Sequence, residues 1–206
     1  MRITALQPQR RSRRRFSVFI DGQFLYGLAA ETVAALGLRV GQDVDRAKLD
    51  EIAREEQLHQ ARQYAFLLLS YRARTTTELR QRLARKGFSP DIQSKTLQRL
   101  SELKMIDDAG YARQFVQDRV SIGHKGKWRV RGELLKRGVG REHIEEALAA
   151  APDETVAARE VAEKYLSRNK RLEPVVLKRR LYAFLARRGF SPDTIRAVLD
   201  VEEAGE

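Results

Sequence analysis

Cysteine is absent from the 206 residues. Disulfides, thiol nucleophiles and cysteine-ligated zinc are thereby excluded, and the composition suits a reducing, cytoplasmic setting. Long apolar runs are missing too. The longest lies near Ala65–Leu69, far short of the roughly 18 consecutive apolar residues of a membrane span. The N-terminal basic residues are followed by no apolar stretch, so a secretory signal is not expected. The histidines are His59, His124 and His143, with no paired spacing that suits a metal. No serine sits in a nucleophile elbow. The stretch GHKGKW (Gly123–Trp128) lacks the spacing, the terminal Ser/Thr and the preceding strand of a phosphate loop. Asp107 and Asp108 are adjacent and diverge on a helix, so capping accounts for them better than metal binding. No enzyme activity, metal or cofactor is expected.

Negative charge is the scarcer sign. Lys and Arg number 40 against 28 Asp and Glu, a formal charge of +12. The excess is uneven. Residues 58–106 hold ten basic and three acidic side chains, whereas 1–57 hold ten and eight, 107–152 nine and seven, and 153–206 eleven and ten. A separate basic knot spans Arg10–Arg15; an arm that grips phosphate and a solvated tail fit it equally. Such a field draws polyanions.

The N-terminal segment RFSVFIDGQFLYGL (Arg15–Leu28) alternates apolar residues about Asp21-Gly22. Phe16, Val18 and Ile20 share one face, and Phe24, Tyr26 and Leu28 share one on the return. Asp-Gly supplies the positive φ pair of a type I′ turn, which predicts a β-hairpin. A short helix over Glu31–Leu36 should stop at Gly37, followed by an extended stretch over Leu38–Val44. Asp45 can cap a helix to about Gln57 that continues toward the next segment.

The octet LARKGFSP (Leu83–Pro90) returns as LARRGFSP (Leu185–Pro192), 102 positions on. Each reads as a helix stop, a corner and a helix start. Glycine takes the left-handed position after the helix, and the preceding cations suit its C-terminal dipole. Ser89 and Ser191 cap new helices, with Pro90 and Pro192 at the first position. A worn third copy, Leu135-Lys136-Arg137-Gly138-Val139, lies midway, giving a period of 51. Leu79 and Leu83 correspond to Val130 and Leu134, then to Leu181 and Leu185; Leu97 corresponds to Leu148 and Leu199. Ile144 aligns with Ile195, but the first copy has Gln93 there and Ile92 one step early, so its third helix should pack differently. Each unit has room for three helices; in the first these are about Leu58–Tyr71, Thr76–Lys86 and Pro90–Leu103, with Thr75-x-x-Glu78 as a capping box. The expected fold is mainly α: an elongated array of three tandem three-helix repeats (58–106, 107–152, 153–206) after an N-terminal arm and β-hairpin/helix segment (1–57).

Cations gather on the second helix of each repeat and the loop feeding it. The candidate binding residues are Arg72, Arg74, Arg80, Arg82 and Lys86 in the first repeat. The second offers Arg119, Lys125, Lys127, Arg129, Arg131, Lys136 and Arg137, and the third Arg179 and Arg180. With Leu79 and Leu83 inward, Arg82 and Lys86 form a second stripe; with Val130 and Leu134 inward, Lys127 and Arg131 do the same. Few acids are close in sequence to pair them, with only Glu133 inside Lys125–Arg137. The helices after the corners open with Pro90-Asp91, Arg141-Glu142 and Pro192-Asp193, and these acids argue against base reading by a helix-turn-helix. Backbone contact with nucleic acid through the preceding helices remains open.

The order and spacing of several short stretches resemble the RecX family, bacterial regulators of the RecA recombinase. They are Leu69-Ser-Tyr71-Arg72-Ala-Arg74-Thr75 with Glu78-Leu79, Lys86-Gly87-Phe88, and Leu103-Lys-Met-Ile106-Asp107-Asp108 with Tyr111-Ala112. Gly126-Lys-Trp-Arg129-Val130-Arg131 with Glu133-Leu134 follows, and Leu185-Ala-Arg-Arg188-Gly189-Phe190-Ser191 ends the series. The hairpin segment resembles the front domain of longer members. Lys127-Trp128 stands where a Pro-basic pair is common. The resemblance implies a non-enzymatic, monomeric, cytoplasmic regulator acting in recombination, DNA repair and the SOS response. It implies an elongated right-handed array that lies in the groove of RecA filaments on DNA and suppresses ATPase, strand exchange and coprotease activity. The alternative from the residues alone is a general DNA-binding protein, for single or double strands, using the basic second helices.

Overall fold

The computed structural model describes residues 1–9 and 12–203, leaving aside the side chains of Arg13 and of residues 201–203. Arg10 and Arg11 of the basic knot lie outside the described residues. Two compact units are formed. The first takes Met1–Arg72 and Leu79–Met105; the second takes Ala73–Glu78 and the chain from Ile106 onward. No helix among the described residues is long and apolar enough to cross a membrane.

The first unit opens with an antiparallel sheet in the order β1 (Ile3–Gln9), β2 (Ser12–Ile20), β3 (Gln23–Ala29). The β2–β3 hairpin turns at Asp21 and Gly22, with φ of 48° and 80°, as the Asp-Gly pair predicts. Strand β1 was not foreseen, since Pro8 and weak alternation disguise it; Arg14 and Arg15 lie within β2 rather than in an arm. One sheet face buries Ile3, Val18, Ile20 and Leu28 against Leu38, Val44, Leu49 and Ile52. Helix α1 (Ala30–Ala35) ends before Gly37, which has φ 58°. Asp45 Oδ1 then accepts from the Lys48 amide at 2.8 Å and starts α2 (Arg46–Tyr71). The helix expected to Gln57 and the first helix of the first repeat are one unbroken helix, whose early part covers the sheet.

Glu56 of α2 is the polar tie between these parts. Only 7% exposed, its carboxylate accepts from the Ala29 amide at 2.8 Å, the Thr32 hydroxyl at 3.1 Å, Arg15 Nη2 at 3.0 Å and Gln60 Nε2 at 2.9 Å. Burial alone would raise its pKa. The donors of Ala29, Gln60, Arg15 and Thr32 together outweigh that and hold it below the usual carboxylate range.

The first repeat continues through α3 (Thr76–Arg85) and α4 (Pro90–Glu102). Leu79, Leu83, Ile92, Leu97 and Leu100 are buried beside Ala61, Ala65 and Leu68 of α2. The misaligned Gln93 is buried too, and its amide donates to the Phe88 carbonyl of its own corner at 2.7 Å. A polar side chain is thus tolerated at a core position because its donor is satisfied.

In the second unit α5 (Asp108–Val116) runs into an unforeseen π-helical turn, Gln117–Ile122. Helices α6 (Lys127–Lys136) and α7 (Arg141–Ala149) complete the second repeat around Val116, Val120, Val130, Leu134, Val139, Ile144 and Leu148. Helices α8 (Glu154–Arg168), α9 (Pro174–Arg188) and α10 (Pro192–Glu203) form the third around Val161, Leu181, Leu185, Phe190, Ile195 and Leu199.

All three corners have the same geometry. Gly87, Gly138 and Gly189 sit at φ 95°, 73° and 87°. The next residue's amide reaches back to the carbonyl of Leu83, Leu134 or Leu185 at 3.2–3.3 Å, the bond of a Schellman stop. Loss of Ser-Pro in the middle copy leaves the corner intact, with Gly140 in extended geometry before α7.

Two corners also dock on the start of a preceding helix. The Arg137 and Gly138 carbonyls accept from the Thr75 and Thr77 hydroxyls at 2.6 and 3.0 Å. The Arg188 and Gly189 carbonyls accept from the Gly126 and Trp128 amides at 3.0 and 3.1 Å. Donors and acceptors of the second set lie 51 positions beyond the first. The first turn of α3 belongs to the second unit for this reason.

Two expectations follow. A Cβ at Gly138 would lie 2.4 Å from Thr77 Cβ, and one at Gly189 2.2 Å from Arg129 Cβ, whereas Gly87 has open space around it. Gly87→Ala should therefore cost about 1–2 kcal/mol from left-handed strain alone. Gly138→Ala and Gly189→Ala should cost about 2–5 kcal/mol, because overpacking adds to that strain. Urea unfolding of the three variants checks the order. Glu56→Gln should destabilise by about 1–3 kcal/mol at pH 7, where a buried donor loses its charged acceptor. Because the folded pKa of Glu56 is depressed, its contribution is present above the unfolded value and is lost as pH falls through the folded one. The gap between Glu56→Gln and the parent should then shrink below about pH 4, as read by unfolding midpoints across pH.

Candidate polyanion-binding surface

The docked corner fixes where α6 begins, and α6 carries four of the second repeat's nine cations. Gly126 is the close-approach point: a Cβ there would lie 2.0 Å from the Gly189 carbonyl carbon. From this start, Val130 and Leu134 turn inward and Arg129 and Glu133 fall on another face one turn apart.

Glu133 gathers three of the predicted cations. Arg129 Nε lies 3.0 Å, Lys125 Nζ 3.3 Å and Arg119 Nε 3.9 Å from its carboxylate. Burial works against the Glu133 charge, but the Arg129 and Lys125 donors and the nearby Lys125 and Arg119 charges overcome it and hold its pKa low. Arg119 also lies 5.2 Å from the Phe115 ring centre, and Arg137 lies 5.0 Å from the same ring. Arg137 Nη1 in turn meets Glu78 at 3.0 Å. The result is four cations held by two carboxylates and an aromatic ring, with positive charge in excess. A guanidinium has five donors, so these arginines keep N–H groups free to meet oxyanions.

The Lys127/Arg131 stripe turns out differently. Arg131 clasps Glu145 with two bonds of 2.7 and 2.6 Å, which holds Glu145 below and Arg131 above their usual pKa values. Lys127 Nζ donates to the Ala151 carbonyl at 3.2 Å, closing the end of α7, and its amide donates to Glu154 at 2.6 Å. Both side chains serve the repeat's own structure. Acids distant in sequence supply the pairing that was not apparent from the window Lys125–Arg137. Lys136, Arg179 and Arg180 are exposed, with no ion pair among the described residues.

The first unit holds a different arrangement. Arg80 and Arg82 are exposed and make no ion pair among the described residues, while Lys86 Nζ sits 5.7 Å from the Tyr64 ring centre. Arg72 ends α2 in extended geometry, and both it and Arg74 hold contacts of their own. On the helical face of Tyr64, α2 exposes Leu67 at 52% and Tyr71 at 76%. Neither is among the candidate binding residues, because Tyr64, Leu67 and Tyr71 have helical core spacing. The core face is the neighbouring one, through Ala61, Ala65 and Leu68. The signal that distinguishes them is chemical: Ala61 and Ala65 are small enough for close helix packing, and tyrosine is not.

Comparison with known proteins gives matches along most of the chain. Family models match for the regulatory protein RecX N-terminal domain over residues 1–45, and for the first, second and third RecX three-helix domains over residues 61–100, 107–148 and 153–199. The chain is 30% identical over 200 residues to the regulatory protein RecX of Bacillus subtilis, covering 96% of this chain and 76% of that one. It is 31% identical over 208 residues to that of Lactobacillus delbrueckii subsp. bulgaricus, covering 99% and 76%. A crystal structure of regulatory protein RecX superposes with a TM-score of 0.81 at 23% identity, over 97% of this chain and 98% of that one. RecX from Lactobacillus salivarius superposes with a TM-score of 0.67 at 24% identity, over 72% and 97%. The corner copied three times, the hairpin ahead of it and these matches agree, and the chain belongs to the RecX family.

Proposed function

We propose that this protein is a non-enzymatic regulator that binds RecA filaments along their groove and restrains ATP hydrolysis, strand exchange and coprotease activity. The observation that carries the reading is similarity to regulatory RecX proteins along 96% of the chain. The cation cluster around Glu133 gives it a physical basis. A nucleoprotein filament repeats acidic protein and phosphate surface at regular spacing. Several modest contacts on one chain then add through effective concentration. The cluster is held in place before binding, so little side-chain freedom is lost on contact.

Adding the protein to RecA, single-stranded DNA and ATP should lower ATP hydrolysis and strand exchange at or below one protein per RecA. No inhibition together with no binding to the filament would overturn the reading. The rival is a general DNA-binding protein, for which affinity to naked DNA should fall by about tenfold or more between 50 and 200 mM salt. Filament binding that persists at a salt concentration where naked DNA is released favours the RecA reading.

Charge reversal separates binding residues from structural ones. Arg82→Glu with Lys86→Glu should weaken filament binding about tenfold or more, through like-charge repulsion, and leave the melting temperature within a few degrees. Arg131→Glu should have the smaller effect on binding and cost up to about 1 kcal/mol of stability, since it breaks a surface pair. Filament pull-down and thermal melting of the two proteins test this contrast.

A further inference from the structure

The ridge on the second half of α2 is apolar, aromatic and exposed, and the repeat's own core does not need it. Tyr64, Leu67 and Tyr71 lie on one helical face at intervals of three and four. Gln57–Thr77 contains no Asp or Glu, and neither does Leu79–Ser89, which carries Arg80, Arg82, Arg85 and Lys86. Lys86 already lies over the Tyr64 ring, and Arg82 is one turn before it, about 6 Å along α3. Exposed Arg80, Arg82 and Lys86 thus face no acid within these two stretches, Glu78 being the one acid between them.

We propose that this ridge is a binding site for an unpaired nucleic-acid strand. Bases would stack on Tyr71 and lie against Leu67, with Arg82 and Lys86 taking the phosphates. Charge complementarity selects a polyanion, and the aromatic faces select among polyanions. A duplex keeps its bases stacked on each other and offers the rings only edges and backbone. A single strand offers base faces and phosphates together, the pairing of groups used by sequence-tolerant single-strand binders. The Lys86–Tyr64 contact holds the cation beside the stacking surface, where a phosphate and its base would arrive together. This deepens the reading as a RecA-filament regulator, which places the protein where single strands are present. Naked oligonucleotide binding nevertheless tests it without RecA.

The test uses the full chain and fluorescence anisotropy with a labelled oligo(dT) and a duplex of equal length. Tyr71→Ala should weaken oligo(dT) binding by about fivefold or more, since one stacked base contributes about 1–3 kcal/mol. It should change duplex binding less than twofold. Tyr71→Phe should bind as the parent does, because the ring face is kept. Ultraviolet crosslinking of oligo(dT) should place an adduct on the tryptic peptide Gln63–Arg72. Unchanged oligo(dT) affinity in Tyr71→Ala would overturn the proposal, as would equal losses for single strand and duplex. Should Tyr71→Ala lose inhibition of RecA while its oligo(dT) affinity stays intact, the ridge contacts protein and the nucleic-acid assignment falls, with the regulator reading left standing.

Discussion

Both joints of the second unit rest on one bond pattern: the orphan carbonyls at the end of one helix meet donors at the start of another, side-chain hydroxyls in one joint and backbone amides in the other. A helix ends with four carbonyls and begins with four amides that have no partner inside it. The stop after α6 turns the Arg137 and Gly138 carbonyls onto the hydroxyls of Thr75 and Thr77. The stop after α9 turns the Arg188 and Gly189 carbonyls onto the amides of Gly126 and Trp128. The macrodipoles complement each other, negative end to positive end. An acid from the start of a first helix finishes each joint. Asp108 accepts from the Thr76 amide at 2.8 Å, and Glu154 accepts from the Lys127 amide at 2.6 Å. Glycine is needed at Gly138 and Gly189 for two reasons, the left-handed backbone and the neighbour lying against it. Gly87 is needed for the first alone.

The start of α9 departs from this pattern. It has an extra turn beginning at Pro174, and the Leu177 amide, 51 positions beyond that of Gly126, is bonded to the Glu173 carbonyl at 2.8 Å within its own helix. The third helix start in the series thus satisfies its first donors locally, where the other two meet a corner.

The corner was legible in the sequence because all its determinants are local. Gly, the following apolar residue, the serine cap and the proline lie within five positions, and each has its own steric or hydrogen-bonding reason. The hairpin was legible for the same reason. What was not legible depends on distant partners. Strand β1 forms because β2 offers it a ladder, against the preference of Pro8. Glu56 reads as one more charge on a helix until Ala29, Thr32 and Arg15 converge on it. Arg131 and Arg137 look unpaired in any short window, yet their acids lie 14 and 59 residues away. Counting acids near a cation in sequence measures only the i, i+3 and i, i+4 pairs of a helix surface. It misses the pairs made between helices.

The two cationic regions differ in how firmly their charges are held, and that difference bears on binding. Glu133 ties Arg119, Lys125 and Arg129 to one point and lowers the net charge they present by one. In exchange three long side chains are held within reach of a single ligand oxyanion, at reduced entropic cost. Arg80 and Arg82 have no such anchor among the described residues. They keep their full charge and their rotamer freedom, which suits contact with a flexible partner whose phosphates have no fixed positions. An anchored cluster therefore suits a partner whose charges hold fixed positions, and an unanchored stripe suits one whose charges move.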